Sequence, residues 1–336
     1  IQDYFRLEKN RMKNCLGIEL GNYRIKIAYM EKNVLAEYFS ERIENGEKAD
    51  HRLIAQTVRE LLAEKNVRCK KAVFVLKQED SYVKRVHMPL MTVDQLKLNL
   101  PYEFHDYTGD RSADYRYDYA LIDRDEKEMD LLAAACRKDL CEEIAEIAKL
   151  AKLKIAGIVP AAVGLERILE RAEVGEKGGA KKDFAVLDLR NRAVMIHFFR
   201  KGIYDMTRNM EPGCSEIELL VGKNKEKLTE FGLDADESLW EEQEKNRYQG
   251  LLDERFQSIA VQVMRVMNFY SFNNADNTID ALYYCGSGAK YEPLLRAVSE
   301  NVSIPLKSLA ELAPEVDHER MPEWMDSPQT YGVLLD

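Results

Sequence analysis

The stretch from Cys15 to Met30 constrains what this chain can fold into more than any other. Ile18 and Leu20 alternate with Gly17, Glu19 and Gly21, and Ile25, Ile27 and Tyr29 alternate with Lys26 and Ala28. That two-residue period belongs to half-buried strands. Between the runs stands Gly21-Asn22, a pair that tolerates positive φ and suits a tight hairpin. Backbone N–H groups at such a tip can cradle a phosphate. A carboxylate at Glu19 can organise a magnesium ion or a water beside it. An ordinary hairpin with a surface glutamate fits the same residues.

The order that follows is repeated. Val34–Phe39 reads as a third strand, 50–65 as a helix with Leu53, Ile54, Val58, Leu61 and Leu62 on one face, and Ala72–Leu76 as a buried strand. Much later, Phe184–Leu189, 193–199 and 202–210 read as three more strands, and Gly213 precedes a helix at 215–229. Strand, turn, strand, strand, helix therefore occurs at 15–62 and again at 184–229, without a matching repeat of residues. A chain of 336 residues exceeds one ordinary core. The repeat predicts two α/β lobes, at 15–174 and 183–336, joined by the charged, glycine-rich 175–182. Two such lobes would bring two hairpin tips toward one ligand cleft. Residues 1–14 form a separate N-terminal arm of mixed basic and aromatic character, and a start at Met12 would place 1–11 upstream of the native chain.

The first lobe carries an insertion. Ser81–Met88 alternates as a strand that Pro89 ends, and Thr92 caps a helix bearing Leu96, Leu98 and Leu100, kinked or restarted at Pro101. Strands at 113–122 and 129–137 follow, then a helix at 139–151, so residues 78–152 are assigned to an inserted α/β subdomain. Tyr115, Tyr117 and Tyr119 share one strand face, either as core or as a peptide-docking edge. Ile155–Val159 and a helix with Pro160 in its first turn return to the lobe. In the second half, Leu252, Phe256, Ile259, Val263, Val266 and Tyr270 stripe one long helix. Ala281–Cys285 then runs as a buried strand into Gly286-Ser287-Gly288, and a short strand at 303–306 and a helix near 328–335 finish the chain.

Composition narrows the partners. A net charge of −10 argues against general binding to nucleic acid or anionic membrane. No apolar run is long enough to span a bilayer. Six scattered cysteines show no metal or disulfide spacing and read as reduced, mostly buried thiols of the cytoplasm. His87 and His197 lie in strand patterns and read as packed or solvated.

The ordered set of motifs resembles the actin-like ATPase superfamily, with its ribonuclease H-like lobes. Leu16–Asn22 looks like its first phosphate loop, Val186–Asn191 like its second, and Leu282–Ala289 like its adenosine motif. Within it, Val83–Leu96, Leu131–Leu140 and Lys152–Pro160 resemble the inserted subdomain of the PilM family of type IV pilus assembly proteins, relatives of FtsA. The resemblance implies ATP or ADP with Mg as ligand. Gly21, Asn22, Tyr23, Lys26, Asp188, Arg190, Asn191, Gly213, Gly286, Ser287 and Gly288 would line the nucleotide, and Glu19 and Asp188 would be the metal carboxylates and the only catalytic candidates. It also implies a cytoplasmic scaffold at the membrane periphery. Its partners would be the cytoplasmic tail of a PilN-like inner-membrane protein, other pilus assembly proteins and further copies of itself. The tail would dock on the insertion near Met88, Tyr115 and Tyr117.

The departures bear on activity. The first loop carries Glu19 where the family has Asp, with Asn22 and Tyr23 in place of small hydroxyl residues. The second has Arg190 where the family has Gly, and no Ser or Thr follows Asp188 in the loop. A guanidinium there either binds a phosphate or takes its place. The expectation is a degenerate nucleotide cleft with weak or absent hydrolysis. An active ATPase or kinase of the same superfamily is the alternative, and a chaperone or filament former the third reading.

Overall fold

The computed structural model describes residues 14–21, 24–43, 50–175, 181–221 and 242–335. The arm at 1–13, Asn22 and Tyr23, the 176–180 part of the linker and the predicted helical residues 222–229 lie outside them. The chain divides into two compact units. One comprises 1–179, 202–206 and 312–336, the other 180–201 and 207–311.

In the first unit, β1 (Asn14–Leu20), β2 (Arg24–Glu31) and β3 (Val34–Arg42) form an antiparallel meander, and β4 (Lys71–Leu76) and β8 (Lys154–Pro160) extend it in parallel, giving the order β3-β2-β1-β4-β8. The alternation in Cys15–Met30 sets the register, with Ile18 opposite Ile27 and Glu19 opposite Lys26. Between β3 and β4 runs α1 (His51–Glu64), whose Asp50 carboxylate accepts from Leu53 N at 2.8 Å, a side-chain N-cap. Its buried stripe of Ala55, Val58, Leu61 and Leu62 shares one core with Leu16, Ile18, Phe74 and Ile158 of the sheet.

The insertion between β4 and β8 is a three-stranded antiparallel sheet in the order β5-β7-β6: β5 is Ser81–Pro89, β6 Tyr115–Arg124 and β7 Glu128–Arg137. Over it lies α2 (Val93–Glu103), started by a reciprocal Thr92–Gln95 capping box and carrying Pro101 inside it, then the single turn α3 (His105–Thr108). Helix α4 (Lys138–Leu150) corrects the assignment of 78–152 to the insertion. Its stripe of Cys141, Ile144, Ile147 and Ala148 packs into the core of the main sheet with α1, so the separate sheet ends at β7. Pro160 closes β8 opposite Leu76, and α5 (Ala161–Gly175) begins after it.

The second sheet repeats the first. It runs β11-β10-β9-β12-β13, with β9 Phe184–Leu189, β10 Val194–Arg200, β11 Ile203–Met210, β12 Leu282–Cys285 and β13 Leu306–Ser308. β9 pairs antiparallel with β10 and parallel with β12. The helical residues 215–221 (α6) and the long α7 (Glu242–Asn273) follow β11. On α7, Leu252, Phe256, Ile259, Val263 and Tyr270 are buried, and Tyr270 stacks on Phe198 of β10 with centroids 3.8 Å apart. α8 (Glu292–Asn301) lies between β12 and β13.

The end of the chain departs from the expected second lobe of 183–336, because residues 312–336 belong to the first unit. The single turn α9 (Gln329–Gly332) packs on β1 and α5. A Cβ at Gly17 would stand 1.8 Å from the Thr330 carbonyl oxygen, so only a glycine strand position admits this backbone.

Candidate functional site

The two candidate carboxylates hold matching places. Each is the next-to-last residue of the first strand of its sheet, Glu19 in β1 and Asp188 in β9. Both are buried. Their partners decide what they can do.

Glu19 is engaged on both oxygens. Register brings Lys26 opposite it, and Lys26 Nζ lies 3.3 Å from Glu19 Oε1. Ser327 Oγ and Gln329 Nε2 each donate to Oε2 at 2.8 Å, and Lys26 also donates to the Asp326 carbonyl at 3.1 Å. Glu19 and Lys26 thus clasp the C-terminal segment instead of presenting a free carboxylate and cation at the turn. Gly21 N donates to the Arg24 carbonyl at 2.9 Å and closes the hairpin. Asn22 and Tyr23 lie outside the described residues.

In the second unit the fold brings together Asp188, Arg190, Asn191, Gly213, Gly286, Ser287 and Gly288 from three separate stretches. Asp188 Oδ2 accepts from Arg190 Nε at 2.7 Å. His197 is diagonal to it across β9 and β10, with Nε2 3.9 Å from the same oxygen and Nδ1 2.8 Å from Thr207 Oγ1. Burial pushes the Asp188 carboxyl up, but the charge and hydrogen bond of Arg190, with His197 nearby acting in the same sense, pull it further down, and it stays below the usual carboxylate range. Its Oδ1 is buried without a hydrogen-bond partner. Arg190 therefore serves as the counter-ion of Asp188.

The glycines are filled by the chain itself. Gly286 adopts φ +93°, and a Cβ there would meet Leu189 N and O at 2.6 Å and Asp188 Oδ1 at 2.7 Å. At Gly213 a Cβ would stand 2.4 Å from the Arg190 carbonyl oxygen. The N–H groups of Gly213, Cys214 and Ser215, at the entrance to α6, donate to the carbonyls of Arg192, Arg190 and Asn191 at 2.9–3.0 Å. A helix start offers an anion its free N–H groups, and these are already bonded. Above them, Ser287 Oγ donates to Asn191 Oδ1 at 3.3 Å, Asn191 Nδ2 donates to Glu218 at 3.0 Å, and Lys290 Nζ pairs with Glu218 at 2.9 Å.

These residues do not fit a magnesium ion. Glu19 has both oxygens taken, and Asp188 has one oxygen on Arg190 and the other shut beneath Gly286. Among the described residues no cluster of three His, Cys, Asp or Glu side chains is arranged around a metal position. Sequence reasoning missed Ser327, Gln329, Glu218 and Lys290, while His197, read as packed or solvated, is packed beside Asp188. Of these only Lys290, two residues past Gly288, carried a positional signal.

The inserted sheet revises the expected docking residues. Met88 and Tyr115 are largely buried among Val86, Leu96, Leu100, Phe104, Met129 and Leu131. Tyr117 is half-buried against Phe104 and donates its hydroxyl to the Ser112 carbonyl at 3.0 Å. Met88 and Tyr117 are packing residues. Tyr115 is core as well, but its edge reaches a cavity of about 170 Å³ at the start of β5 and the β7–α4 junction. Tyr82 and Leu140 give it apolar walls, with Glu79, Asp80 and Glu143 around them. An Arg137–Asp139 ion pair crosses the junction. Burial raises the Asp80 carboxyl above its ordinary range. Among the described strands, β5 and β6 are the outer strands of this sheet, each paired with β7 alone.

A search of curated proteins finds no relative of the chain. Among solved structures it is similar to the PilM–PilN type IV pilus biogenesis complex, at 17% identity, covering 95% of this chain and 97% of that one with a TM-score of 0.70. It is also similar to the ethanolamine utilization protein EutJ from Carboxydothermus hydrogenoformans, at 14% identity, 98% and 92% coverage and a TM-score of 0.52. The family model described as type IV pilus assembly protein PilM matches residues 17–322. The chain has an actin-like ATPase fold and belongs to the PilM family of type IV pilus assembly proteins.

Proposed function

We propose that this protein is a docking scaffold of type IV pilus assembly whose nucleotide site is degenerate. In this reading the first unit takes the cytoplasmic tail of a PilN-like inner-membrane protein, and the protein sits at the cytoplasmic face of the membrane through that tail. The cavity at the base of the inserted sheet carries the reading. Tyr82, Tyr115 and Leu140 offer apolar contact, and Glu79, Asp80 and Glu143 offer acceptors to a basic or amide side chain. Among the described strands, β5 and β6 start beside it and each pairs with β7 alone, so an extended tail can add main-chain bonds while it fills the cavity. Among described residues no helix is long and apolar enough to cross a membrane, so a pilus role needs a membrane-bound partner. One similar solved structure is a PilM–PilN type IV pilus biogenesis complex. Against the reading as an ATPase or kinase stand the engaged oxygens of Glu19 and Asp188 and the filled glycines.

The test is a titration of labelled peptides covering the cytoplasmic tails of PilN-like inner-membrane proteins from the same organism. Wild type binds. Charge reversal at the exposed cavity rim, Glu143→Lys, weakens binding about tenfold or more, a loss of about 1.4 kcal/mol. Equal binding by wild type and the variant removes the cavity from the site. No binding of any such tail by wild type refutes the scaffold reading.

A further inference from the structure

Cys136 and Cys141 bracket the floor of this cavity. Cys136 precedes Arg137 at the end of β7, and Cys141 follows Leu140 in the opening turns of α4. Their sulfurs lie 3.3 Å apart, both thiols are free and both are buried. The remaining approach to a disulfide bond of about 2.05 Å is a little over 1 Å, within reach of a small shift of the first helical turn. Cys15 and Cys69, by contrast, each donate to the Lys71 carbonyl.

We propose that Cys136 and Cys141 are an oxidative modification site, a dithiol that closes to a disulfide and reshapes the partner cavity above it. The effect on the partner rests on the docking reading given above. The pair is chemically divided. The hydrogen bond shared with Cys136, helped by the charge of Arg116, holds the Cys141 thiol below its ordinary value, while the same bond and burial push Cys136 up. Cys141 also stands in the opening turns of a helix, where peptide dipoles favour a thiolate. Cys141 is thus the attacking sulfur and Cys136 the resolving one.

The oxidant is a small hydroperoxide, since burial excludes bulky disulfides. The Cys141 thiolate attacks one peroxide oxygen, the O–O bond breaks, and hydroxide leaves as water after taking a proton, giving a sulfenic acid. Cys136 sulfur attacks the sulfenic sulfur, the S–O bond breaks, and the second oxygen leaves as water with the Cys136 proton. Two thiols lose two electrons and one hydrogen peroxide becomes two waters. The new bond draws the first turn of α4 toward the end of β7. Asp139 and Leu140 move with it, and with them the cavity floor. Both sulfurs sit where the inserted sheet joins the main core, so the bond also stiffens that junction.

The experiment treats the folded, full-length protein with hydrogen peroxide, quenches it by alkylation and maps the peptides by mass spectrometry. Trypsin cuts after Arg137 and Lys138, so the disulfide appears as two linked peptides that dithiothreitol separates. The expected result is a Cys136–Cys141 link formed before any other. A Cys15–Cys69 link alone, or oxidation confined to the half-exposed Cys69, overturns the proposal. A second readout needs no partner: hydrogen exchange at the amides of 138–142 slows on oxidation of wild type and not of Cys136→Ser, and unchanged exchange despite the link overturns the reshaping. With the tail peptide as probe, oxidation weakens binding about tenfold, or about 1.4 kcal/mol, reversibly with dithiothreitol. If the reduced protein binds no tail, the docking reading fails while the link and the exchange still decide this proposal. If it binds equally in both states, the coupling fails while docking stands.

Discussion

Replacing Arg190 with alanine separates a phosphate-binding arginine from one that neutralises the fold. Asp188 is only 1% exposed, one of its oxygens has no hydrogen-bond partner, and the other rests on Arg190 Nε at 2.7 Å. Removing one partner of a buried ion pair strands the other charge and costs about 3–5 kcal/mol. The Arg190 side chain is 17% exposed, so water reaches part of the pair, and about 3 kcal/mol is the expected loss for Arg190→Ala at neutral pH. The pH dependence gives the sign. In wild type the carboxyl is depressed, so its contribution is present above the unfolded value of about 3.9 and is lost only as pH falls through the lower folded value. Without Arg190 burial dominates and raises the folded carboxyl, so the deficit is full at neutral pH and shrinks as pH falls and the acid takes up its proton. Urea denaturation followed by circular dichroism between neutral pH and about pH 4 measures both. The double variant Asp188→Asn with Arg190→Met loses less than Arg190→Ala, because no charge is stranded. A deficit under about 1 kcal/mol, within the range of an ordinary surface pair, or one independent of pH, refutes the counter-ion role.

Two further perturbations test the same use of site residues. Glu19→Ala strands buried Ser327 and Gln329 and deprives Lys26 of its carboxylate, so stability falls by about 3 kcal/mol and hydrogen exchange at 326–334 rises; unchanged exchange there removes Glu19 from the clasp. Gly286→Ala places a Cβ against Leu189 at φ +93° and lowers stability by about 1–3 kcal/mol with no nucleotide present, whereas a neutral effect means the turn has room for a ligand.

Both sheets were legible because alternation fixes register, and register fixes neighbours. Glu19 faces Lys26 for the same reason that Ile18 faces Ile27. The repeated strand order needed no residue identity between the halves, since the period carries it. Three things could not be read locally. The segment 312–335 runs through short turns without a hydrophobic period, and its place beside β1 is set by long-range contacts to Glu19 and Gly17. Helix α4 has a clear stripe, but a stripe does not name the surface it covers, and the main core claimed it instead of the insertion. The tyrosines of β6 alternate as a docking edge or a core face would, and only the packing of α2 and Phe104 over them decides. In the second unit Asp188, Arg190, Asn191, Gly286 and Ser287 lie near one another, but their role was not legible in the sequence. A glycine that admits a phosphate and one that admits another strand look the same.

In the proposed function the carboxylates and glycines of both turns are spent on the protein's own packing. Calorimetric titration of the full-length protein with ATP and magnesium tests it most directly. The expected result is no magnesium-dependent binding with a Kd below about 1 mM, the weak end of the affinity scale. Micromolar binding that requires magnesium and disappears in Asp188→Asn, a variant shown to be folded, would contradict it.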